Sequence, residues 1–314
     1  MSEQRGMRAG GRTIALHRPD KVLFPDDGFT KADLAEHYRA AARRMLPHLR
    51  DRPLMMVRHP DGIGEQTVVQ KNVPAHFPGW IRRAELPRRG ERGPGGSGTR
   101  RGSTVTHVVC NDTATLVYLA DQACITPHRW LARTDRPDHP DRLVFDLDPS
   151  EGTDFEDVRW TAHRVCELLD ELGLPVLLMT TGSSGTHALV PLDRSASFDG
   201  VRAFAASAAG LLAERHPDRL TTEQRKADRK DRVYLDVQRN AYAQTAVVPY
   251  AVRALPGAPV AMPFAREELD DPELSARRWT MATAADRLTG DDPWSPAPRG
   301  RSLRVAERRL SRMR

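Results

Sequence analysis

Apolar residues at helical spacing mark three segments of the chain. The first begins at Thr30, which has the arrangement of a capping box with Asp33, and it continues to Pro47, which we expect to close the helix. Its apolar face consists of Leu34, Tyr38, Ala41, Ala42 and Met45. Two further helices are predicted over 154–172, with Gly173 as C-cap, and over 198–214, with Ser197 as N-cap.

Short apolar stretches bounded by turn residues predict strands. These cover 20–25, parts of 54–72, 142–148, 176–192 with an internal Gly/Ser turn, 232–237 and 244–254. Residues 104–131 predict a strand and then an apolar helix ending at Pro127 and His128, and a helical region follows residue 264. We expect a flexible N-terminus over 1–14 and a mobile basic loop over 82–101. Helices mixed with strands that do not alternate regularly indicate one compact α/β unit.

Composition excludes several classes of protein. The 314 residues have a mean hydropathy of -0.56 and 29% charged side chains, and no apolar run approaches the roughly 18 residues of a membrane span. The N-terminus lacks the apolar stretch of a signal peptide. The three cysteines are isolated, which argues against a disulfide framework and a cysteine zinc site. We therefore expect a cytoplasmic protein without a membrane partner.

The net charge of +6 arises entirely in the C-terminal tail. Residues 299–314 hold seven arginines and one glutamate, so the body of the protein is balanced. Leu303, Ala306, Leu310 and Met313 recur at helical spacing and predict a short amphipathic helix. Its arginines either contact DNA phosphates or are merely solvated on a helix that packs on the body.

The strongest chemical signal is a pair of aspartates at a strand end. Asp146 and Asp148 point to the same face because residues i and i+2 of a strand do so, and their repulsion is relieved by a divalent cation such as Mg²⁺ or Mn²⁺. Asp236 lies in a second apolar strand after a basic cluster. Three carboxylates beside positive side chains are typical of two-metal phosphoryl transfer. The alternatives are a simple strand-end turn and a solvent-facing Asp236 on an edge strand.

Residues 180–187, Thr-Thr-Gly-Ser-Ser-Gly-Thr-His, lie between two apolar strands. Glycines and hydroxyls allow backbone N–H groups to approach a phosphate, although many hairpin turns look similar. The stretch is neither a P-loop nor a dinucleotide-binding fingerprint.

Several motifs occur in the order seen in bacterial ligase D polymerase domains, which belong to the archaeo-eukaryotic primase superfamily, and the chain resembles these domains over about 15–290. The motifs are Asp20–Pro25, Arg58–Gly62, Gln70–Asn72, Asp146-x-Asp148-Pro149, Thr181–Leu192, Asp236 with Asn240, and Ala246–Arg253. The resemblance implies mixed or antiparallel central sheets flanked by helices in a two-lobed primase-polymerase unit, followed by a basic tail over 291–314.

The resemblance also implies roles for individual residues. It assigns Asp146, Asp148 and Asp236 to two catalytic cations, Mn²⁺ or Mg²⁺. It places His128, Thr181, Ser183, His187 and Arg253 around the incoming nucleotide, Lys21 and Lys31 on the 5′-phosphate of a downstream strand, and Arg58 and Lys71 near the template. Without it, His128 could simply end a helix, Lys31 could be a solvated first-turn lysine, and Arg253 could pair with a surface carboxylate.

The chain departs from the family pattern at three positions. Val68 and Val69 stand where two aromatic residues are common, so base or sugar stacking there should be missing. Ser184 stands where a lysine is common in the Gly/Ser turn, which weakens one triphosphate contact.

These observations predict a template-dependent polymerase that adds NTPs or dNTPs to a primer 3′-OH at gaps or broken DNA ends, with tolerance of ribonucleotides. The adenylating Lys-x-Asp-Gly motif of ligases does not occur, so we expect a separate ATP-dependent DNA ligase and Ku as partners. The rival hypotheses are a primase that starts chains without a primer and an end-bridging scaffold with an idle site.

Overall fold

The computed structural model describes residues 4–88 and 104–313. Its strands are β1 Gln4–Ala9, β2 Arg12–His17, β3 Val22–Phe24, β4 Phe29–Thr30, β5 Leu54–Arg58, β6 Val68–Gln70, β7 Arg83–Pro87, β8 Thr104–Val108, β9 Cys124–Trp130, β10 Arg142–Asp148, β11 Leu177–Thr180, β12 Thr186–Pro191, β13 Leu220–Thr221, β14 Val233–Asp236, β15 Thr245–Val247 and β16 Pro263–Phe264. Its helices are α1 Lys31–Leu49, α2 Thr113–Asp121, α3 Phe155–Leu172, α4 Phe198–Arg215, α5 Lys226–Arg229, α6 Ala285–Thr289 and α7 Arg304–Leu310.

Two sheets form the centre of the molecule. The larger has six strands in the order β13-β14-β10-β12-β11-β16, antiparallel except for the β13–β14 pair. The smaller has four antiparallel strands in the order β15-β9-β5-β6. Helices α3 and α4 pack against the larger sheet, and α1 and α2 pack on each other beside the smaller one. The expected mixed α/β fold with antiparallel central sheets is confirmed.

The predicted long helices are confirmed together with their ends. The capping box of Thr30 with Asp33 is present at α1, and the Ser197 side chain accepts a hydrogen bond from a backbone N–H in the first turn of α4. Gly173 ends α3 in the left-handed conformation, with φ of 75°. The expected stop at Pro47 is wrong, because α1 continues to Leu49. A proline this close to a C-terminus removes only one backbone bond, and the added turn buries Leu49 completely.

The prediction of a helix ending at Pro127 and His128 is wrong. Helix α2 ends at Asp121, and Ala123 reverses the chain with φ of 54°. Pro127 and His128 lie within strand β9. β9 is paired on both sides, with β5 and β15, so sheet hydrogen bonds replace those of a helix. The apolar run alone did not distinguish a buried strand from a buried helix.

The expected flexible N-terminus is wrong for residues 4–14. β1 and β2 form an antiparallel hairpin that packs on α2 and buries Met7, Ala9, Ile14 and Leu16. A signal was present in the sequence, because these alternating apolar residues flank Gly10-Gly11, a pair typical of two-residue hairpin turns.

Three further segments differ from expectation. Residues 83–87 of the predicted basic loop form β7, while its remainder from 89 to 101 lies outside the described residues. The strand predicted over 244–254 is confined to β15, because Tyr250 takes a left-handed φ of 68°. The region after residue 264 contains a 3₁₀ turn at Arg266–Asp270 and short helices.

The tail is helical, as predicted, and α7 packs against α3 and α4. Leu303, Ala306 and Leu310 are each less than 5% exposed, whereas its arginines from Arg299 to Arg312 are exposed. The packing of this helix on the body is therefore confirmed. Whether its arginines also bind DNA stays a prediction, as does the domain boundary at residue 290.

Candidate nucleotidyl-transfer site

Strand pairing brings the three predicted carboxylates together. In the larger sheet, Asp146 on β10 lies directly opposite Asp236 on β14 and opposite His187 on β12. Asp148 is two residues further along β10 and shares the face of Asp146. Each of the three carboxylates offers an oxygen within 4.8 Å of the others. The structure therefore forms an acidic cluster from two neighbouring strands.

The carboxylates differ in their electrostatics. Burial raises the pKa of Asp148 to about 6, and the charges of Asp146 and Asp236 act in the same direction. Burial also opposes ionisation of Asp146, but His187 and Arg239 outweigh it and hold the pKa of that carboxyl below its usual value. The cluster thus concentrates the negative charge of three carboxylates, which the neighbouring Arg239 only partly offsets.

The donor set fits a divalent cation of the Mg²⁺ or Mn²⁺ type, because it consists of carboxylate oxygens alone. His187 Nε2 lies 3.3 Å from Asp146 Oδ1, but without hydrogen-bond geometry. Asp146 Oδ1 is therefore a buried acceptor with no hydrogen bond in the described part of the chain. Such an oxygen is costly to bury unless a cation or donor meets it.

A polar cavity lies beside the carboxylates, at the interface of the two sheets. It is lined by His128, Asp146, Asp148, Thr181, Ser183, His187, Arg239, Thr245, Ala246, Val247 and Arg253. His128 comes from β9 of the smaller sheet, where it lies opposite Val247. All five residues predicted to surround the nucleotide thus line one cavity with two of the acidic residues. Their nucleotide-binding role stays a prediction.

Both histidines of the cavity have a free ring nitrogen. Burial lowers the pKa of His128 to about 3, with a further contribution from Arg253, so the ring is neutral at neutral pH. His128 Nδ1 and His187 Nδ1 are buried and have no hydrogen-bond partner among the described residues. They are available to donate to, or accept from, a bound molecule.

Two glycines determine the shape of the Gly/Ser turn, here Thr181–Gly185. Gly182 has φ of +65°, and a Cβ there would lie 2.8 Å from Arg253 Cγ. A Cβ on Gly185 would lie 2.0 Å from the carbonyl oxygen of Leu147, the residue between the two aspartates. The absence of side chains therefore brings the turn against the acidic strand on one side and against Arg253 on the other.

Arg253 is held in the cavity by the same turn. Its Nη1 donates to the carbonyl oxygen of Thr181 and lies 3.3 Å from Ser183 Oγ. Burial lowers the pKa of Arg253, and the cations Arg239 and Arg277 act in the same direction against the attraction of Asp146. No carboxylate pairs directly with it among the described residues, so the alternative of a surface ion pair for Arg253 is wrong.

The two predicted phosphate-binding lysines lie together at the N-terminus of α1, outside this cavity. Lys31 Nζ donates to the carbonyl oxygen of His17 at 2.6 Å and lies 3.6 Å from Asp121 Oδ1. It is only 8% exposed, so the alternative of a solvated lysine is wrong. Burial lowers the pKa of Lys31, which Asp121 opposes, and Lys21 lowers it further.

The N-terminal hairpin builds part of this basic cluster, which consists of Arg18, Lys21 and Lys31. His17 binds both oxygens of the Asp121 carboxylate, through its backbone N–H and its ring, and so ties β2 to the end of α2. Arg18 follows His17 directly, and its positive charge contributes to lowering the pKa of Lys31. Lys21 pairs with the exposed Asp61.

The two predicted template-contacting residues lie on the hairpin of β5 and β6. Arg58 donates to the carbonyl oxygen of Gln122 and to Gln70 Oε1, both at 2.8 Å, while Lys71 is exposed. Val69 is 60% exposed, so an apolar side chain faces solvent on this hairpin.

Sequence reasoning did not identify Arg239 and Thr245 as residues of the cavity. Arg239 Nε lies 3.4 Å from Asp146 Oδ2, and its side chain is 41% exposed. Its position three residues after Asp236 was the available signal. Thr245 follows a turn, and only the pairing of β15 with β9 places it on the cavity side.

None of the described helices is both long and apolar enough to cross a membrane.

Comparison with known proteins identifies the family. The family model described as LigD, primase-polymerase domain, matches residues 30–294. The multifunctional non-homologous end joining protein LigD of Mycolicibacterium smegmatis is 33% identical over 277 residues, which cover 88% of this chain and 34% of that protein. Its counterpart from Pseudomonas aeruginosa is 32% identical over 292 residues, covering 92% and 33%. The chain thus spans about a third of the length of these relatives.

The fold has a solved counterpart. The structure described as the polymerase domain from Mycobacterium tuberculosis ligase D in complex with DNA matches with a TM-score of 0.80 and 29% identity, over 94% of this chain and 98% of that one. With a family model covering most of the chain and relatives above 30% identity, the chain belongs to the LigD primase-polymerase domain family.

Proposed function

We propose that this chain is a nucleotidyltransferase that adds nucleotides to a primer 3′-OH, templated by DNA, at gaps and broken ends during non-homologous end joining. The observation that carries the proposal is the cluster of Asp146, Asp148 and Asp236 on one sheet face, beside a cavity in which Arg253 has no carboxylate partner among the described residues. The matching polymerase domain was solved in complex with DNA, which supports DNA as a substrate of this chain.

The acidic cluster is the proposed holder of two divalent cations, Mg²⁺ or Mn²⁺, which would supply charge neutralisation at the reacting phosphate and a lowered pKa for the attacking hydroxyl. The protein's part is to hold three carboxylates on two rigid paired strands, so that little reorganisation is needed when the substrates arrive. Asp148 must be ionised for this task, and neutral pH exceeds its pKa of about 6.

The other side of the cavity is proposed to orient the nucleotide. Arg253 supplies a fixed positive charge for the phosphates, and the hydroxyls of Thr181 and Ser183 lie 2.9 Å apart on the adjoining turn. The neutral ring of His128 is proposed to contact the sugar or phosphate through Nδ1, which has no hydrogen-bond partner in the described part of the chain. Tolerance of ribonucleotides belongs to this proposal, as do Ku and a separate ATP-dependent ligase as partners.

The downstream 5′-phosphate of a gap is proposed to bind the cluster of Arg18, Lys21 and Lys31. Three cations face two carboxylates there, Asp61 and Asp121, which leaves positive charge for a phosphate. The adjoining hairpin with Arg58 and Lys71 is proposed to contact the template strand.

A single set of assays tests the proposal. Incorporation of labelled nucleotide is measured on gapped duplex with a 5′-phosphate, on bare single strand, and on gapped duplex with the divalent cation chelated. We expect metal-dependent extension on the gap alone. Synthesis on unprimed single strand would indicate a primase, and binding of ends without incorporation would indicate a scaffold.

A further inference from the structure

A second arginine lies on the Gly/Ser turn, from a distant part of the chain. Arg277 Nε donates to the carbonyl oxygen of Ser183 at 2.8 Å. Arg253 reaches the hydroxyl of the same serine from the cavity side. Two guanidinium groups thus flank one residue, and Arg277 contributes to lowering the pKa of Arg253.

Neither guanidinium group has a carboxylate partner among residues 4–88 and 104–313. The adjacent Arg278 behaves differently, because it pairs with Asp271 and lies over the ring of Trp279. Like charges held close together cost free energy unless an anion lies between them. Arg277 therefore lacks the local compensation that its neighbour has.

The backbone that carries Arg277 is well anchored. Ala276 and Trp279 are each 7% exposed, and the Trp279 carbonyl oxygen accepts from Val260 N at 2.8 Å. The Arg277 side chain itself is exposed. The chain thus holds an accessible positive charge at a fixed place beside the turn, as expected of a binding group.

Arg277 adjoins the cavity through one of its lining residues. The carboxylates, Arg253 and Ser183 line the cavity, and Arg277 donates to Ser183 while its own side chain is exposed. The two arginines therefore contact the same turn, one inside the cavity and one at its exposed side. Contact with Ser183, a residue of the cavity lining, places Arg277 beside the nucleotide cavity, which favours a nucleotide phosphate over a DNA duplex as its ligand.

We propose that Arg277 binds the terminal phosphates of the incoming nucleoside triphosphate, as the outer member of a pair with Arg253. This inference rests on the proposed nucleotidyl-transfer function and names a phosphate-binding residue of that site. A charge-assisted, two-pronged contact of a guanidinium with phosphate is among the stronger polar contacts in proteins.

The test compares Arg277→Ala and Arg277→Lys with the matched control Arg278→Ala. Dissociation constants for ATP, ADP and AMP are measured with Mn²⁺ present, together with KM and kcat for incorporation on gapped DNA. For Arg277→Ala we expect about tenfold weaker ATP binding and a higher KM, with AMP binding and kcat near wild type. Arg277→Lys should recover part of the ATP affinity, and Arg278→Ala should bind ATP as the wild type does.

Each other outcome is informative. Equal loss of ATP and AMP affinity would overturn the inference, because a structural role is indicated. Weaker DNA binding with unchanged ATP binding would overturn it in favour of a DNA contact. If the wild-type protein binds no nucleoside triphosphate, the proposed function itself fails. Should Arg277→Ala not fold, circular dichroism melting verifies that Arg277→Lys is folded, and the ATP and AMP affinities of Arg277→Lys then decide the test.

Discussion

At the scale of single residues, the acidic cluster shows how function opposes stability. Three carboxylates are held within 4.8 Å by strand pairing, and the pKa of Asp148 is raised to about 6 by burial and by its two acidic neighbours. A charge that is disfavoured in the folded state is retained where a cation would favour it. Two predictions at this scale separate the role of Asp148 in activity from its effect on stability.

Asp148→Asn should abolish nucleotide incorporation while gapped-DNA affinity stays within a few-fold. Removing one metal ligand costs several kcal/mol of transition-state stabilisation, whereas a carboxylate repels the phosphates of DNA and adds nothing to their binding. Steady-state incorporation and DNA binding are measured side by side, with the exposed Asp218→Asn as control. Retention of more than about a tenth of wild-type turnover would contradict the metal-binding role.

The same substitution should stabilise the metal-free protein above pH 6. Because the folded pKa of Asp148 exceeds the unfolded value of 3.8, the folded state binds more protons between about pH 4 and pH 6. Stability therefore falls as the pH rises through this window, and asparagine removes that loss. Urea unfolding in EDTA at pH 8 should show a gain of about 1–3 kcal/mol, which vanishes at pH 4. A variant less stable than wild type at pH 8 would show that the carboxylate is already compensated.

At the scale of secondary-structure elements, Asn240 connects the two strands that carry the aspartates. Its side chain accepts from Val144 N at 2.9 Å and donates to the carbonyl oxygens of Val144 and Val237 at 2.7 and 2.9 Å. It is fully buried. Strand β10 is thereby joined to the turn that follows β14, which fixes the relative placement of Asp146 and Asp236.

Asn240→Ala should lower the free energy of unfolding by about 2–4 kcal/mol, because it leaves buried backbone groups of Val144 unpaired. Incorporation should fall as well, since the acidic strands lose a common support. Denaturant unfolding measures the first effect, and Asn72→Ala, which removes an exposed bond to Thr106 N, serves as control. A loss below about 1 kcal/mol would mean that water replaces these bonds.

A second element, the hairpin of β1 and β2, supports the basic cluster through His17 and Asp121. Lys21→Ala combined with Lys31→Met should remove the preference for a 5′-phosphorylated gap, because each lysine acts as a point charge on the phosphate. Affinities for phosphorylated and unphosphorylated gaps are compared at one salt concentration. Lys71→Ala should weaken both equally. A preserved preference would place the phosphate anchor elsewhere.

At the scale of the whole molecule, the C-terminal helix has two faces with separate roles. Its apolar residues are part of the core, while Arg309 Nη1 lies 3.3 Å from the Glu171 carbonyl oxygen and the other described arginines of the helix face solvent. Deleting 299–314 would therefore mix a stability effect with any effect on DNA binding.

Deletion of 299–314 should lower the melting temperature by many degrees, because it removes Leu303 and Leu310 from the core and exposes the apolar surface that they cover. Arg304, Arg308 and Arg312 replaced together by Gln should leave the melting temperature within about 2 °C. If all three contact phosphates, the slope of log K against log salt flattens by roughly three units. Thermal melts and salt titrations of DNA affinity distinguish the two. An unchanged slope would assign these arginines to solvation alone.

Much of the fold could be predicted where the information is local. Capping residues, Gly173 and the apolar faces of α1, α3 and α4 identified these helices, since such signals act within a few residues. Pro127 and His128 were misassigned because a short apolar run is compatible with either a strand or a helix. The partners β5 and β15, distant in sequence, decided that question.

For the candidate site, the sequence alone selected Asp146, Asp148, Asp236 and the Gly/Ser turn as candidates, because carboxylates in or at the end of apolar strands are costly without a cation or donor. Arg239, Thr245 and Arg277 depend on where separate strands and loops meet, so only the tertiary structure placed them beside these residues. It likewise decided that Lys31 is buried and that the basic tail covers the core. The chemistry of a residue follows from the sequence itself, whereas its burial and the compensation of its charge depend on neighbours that are remote along the chain.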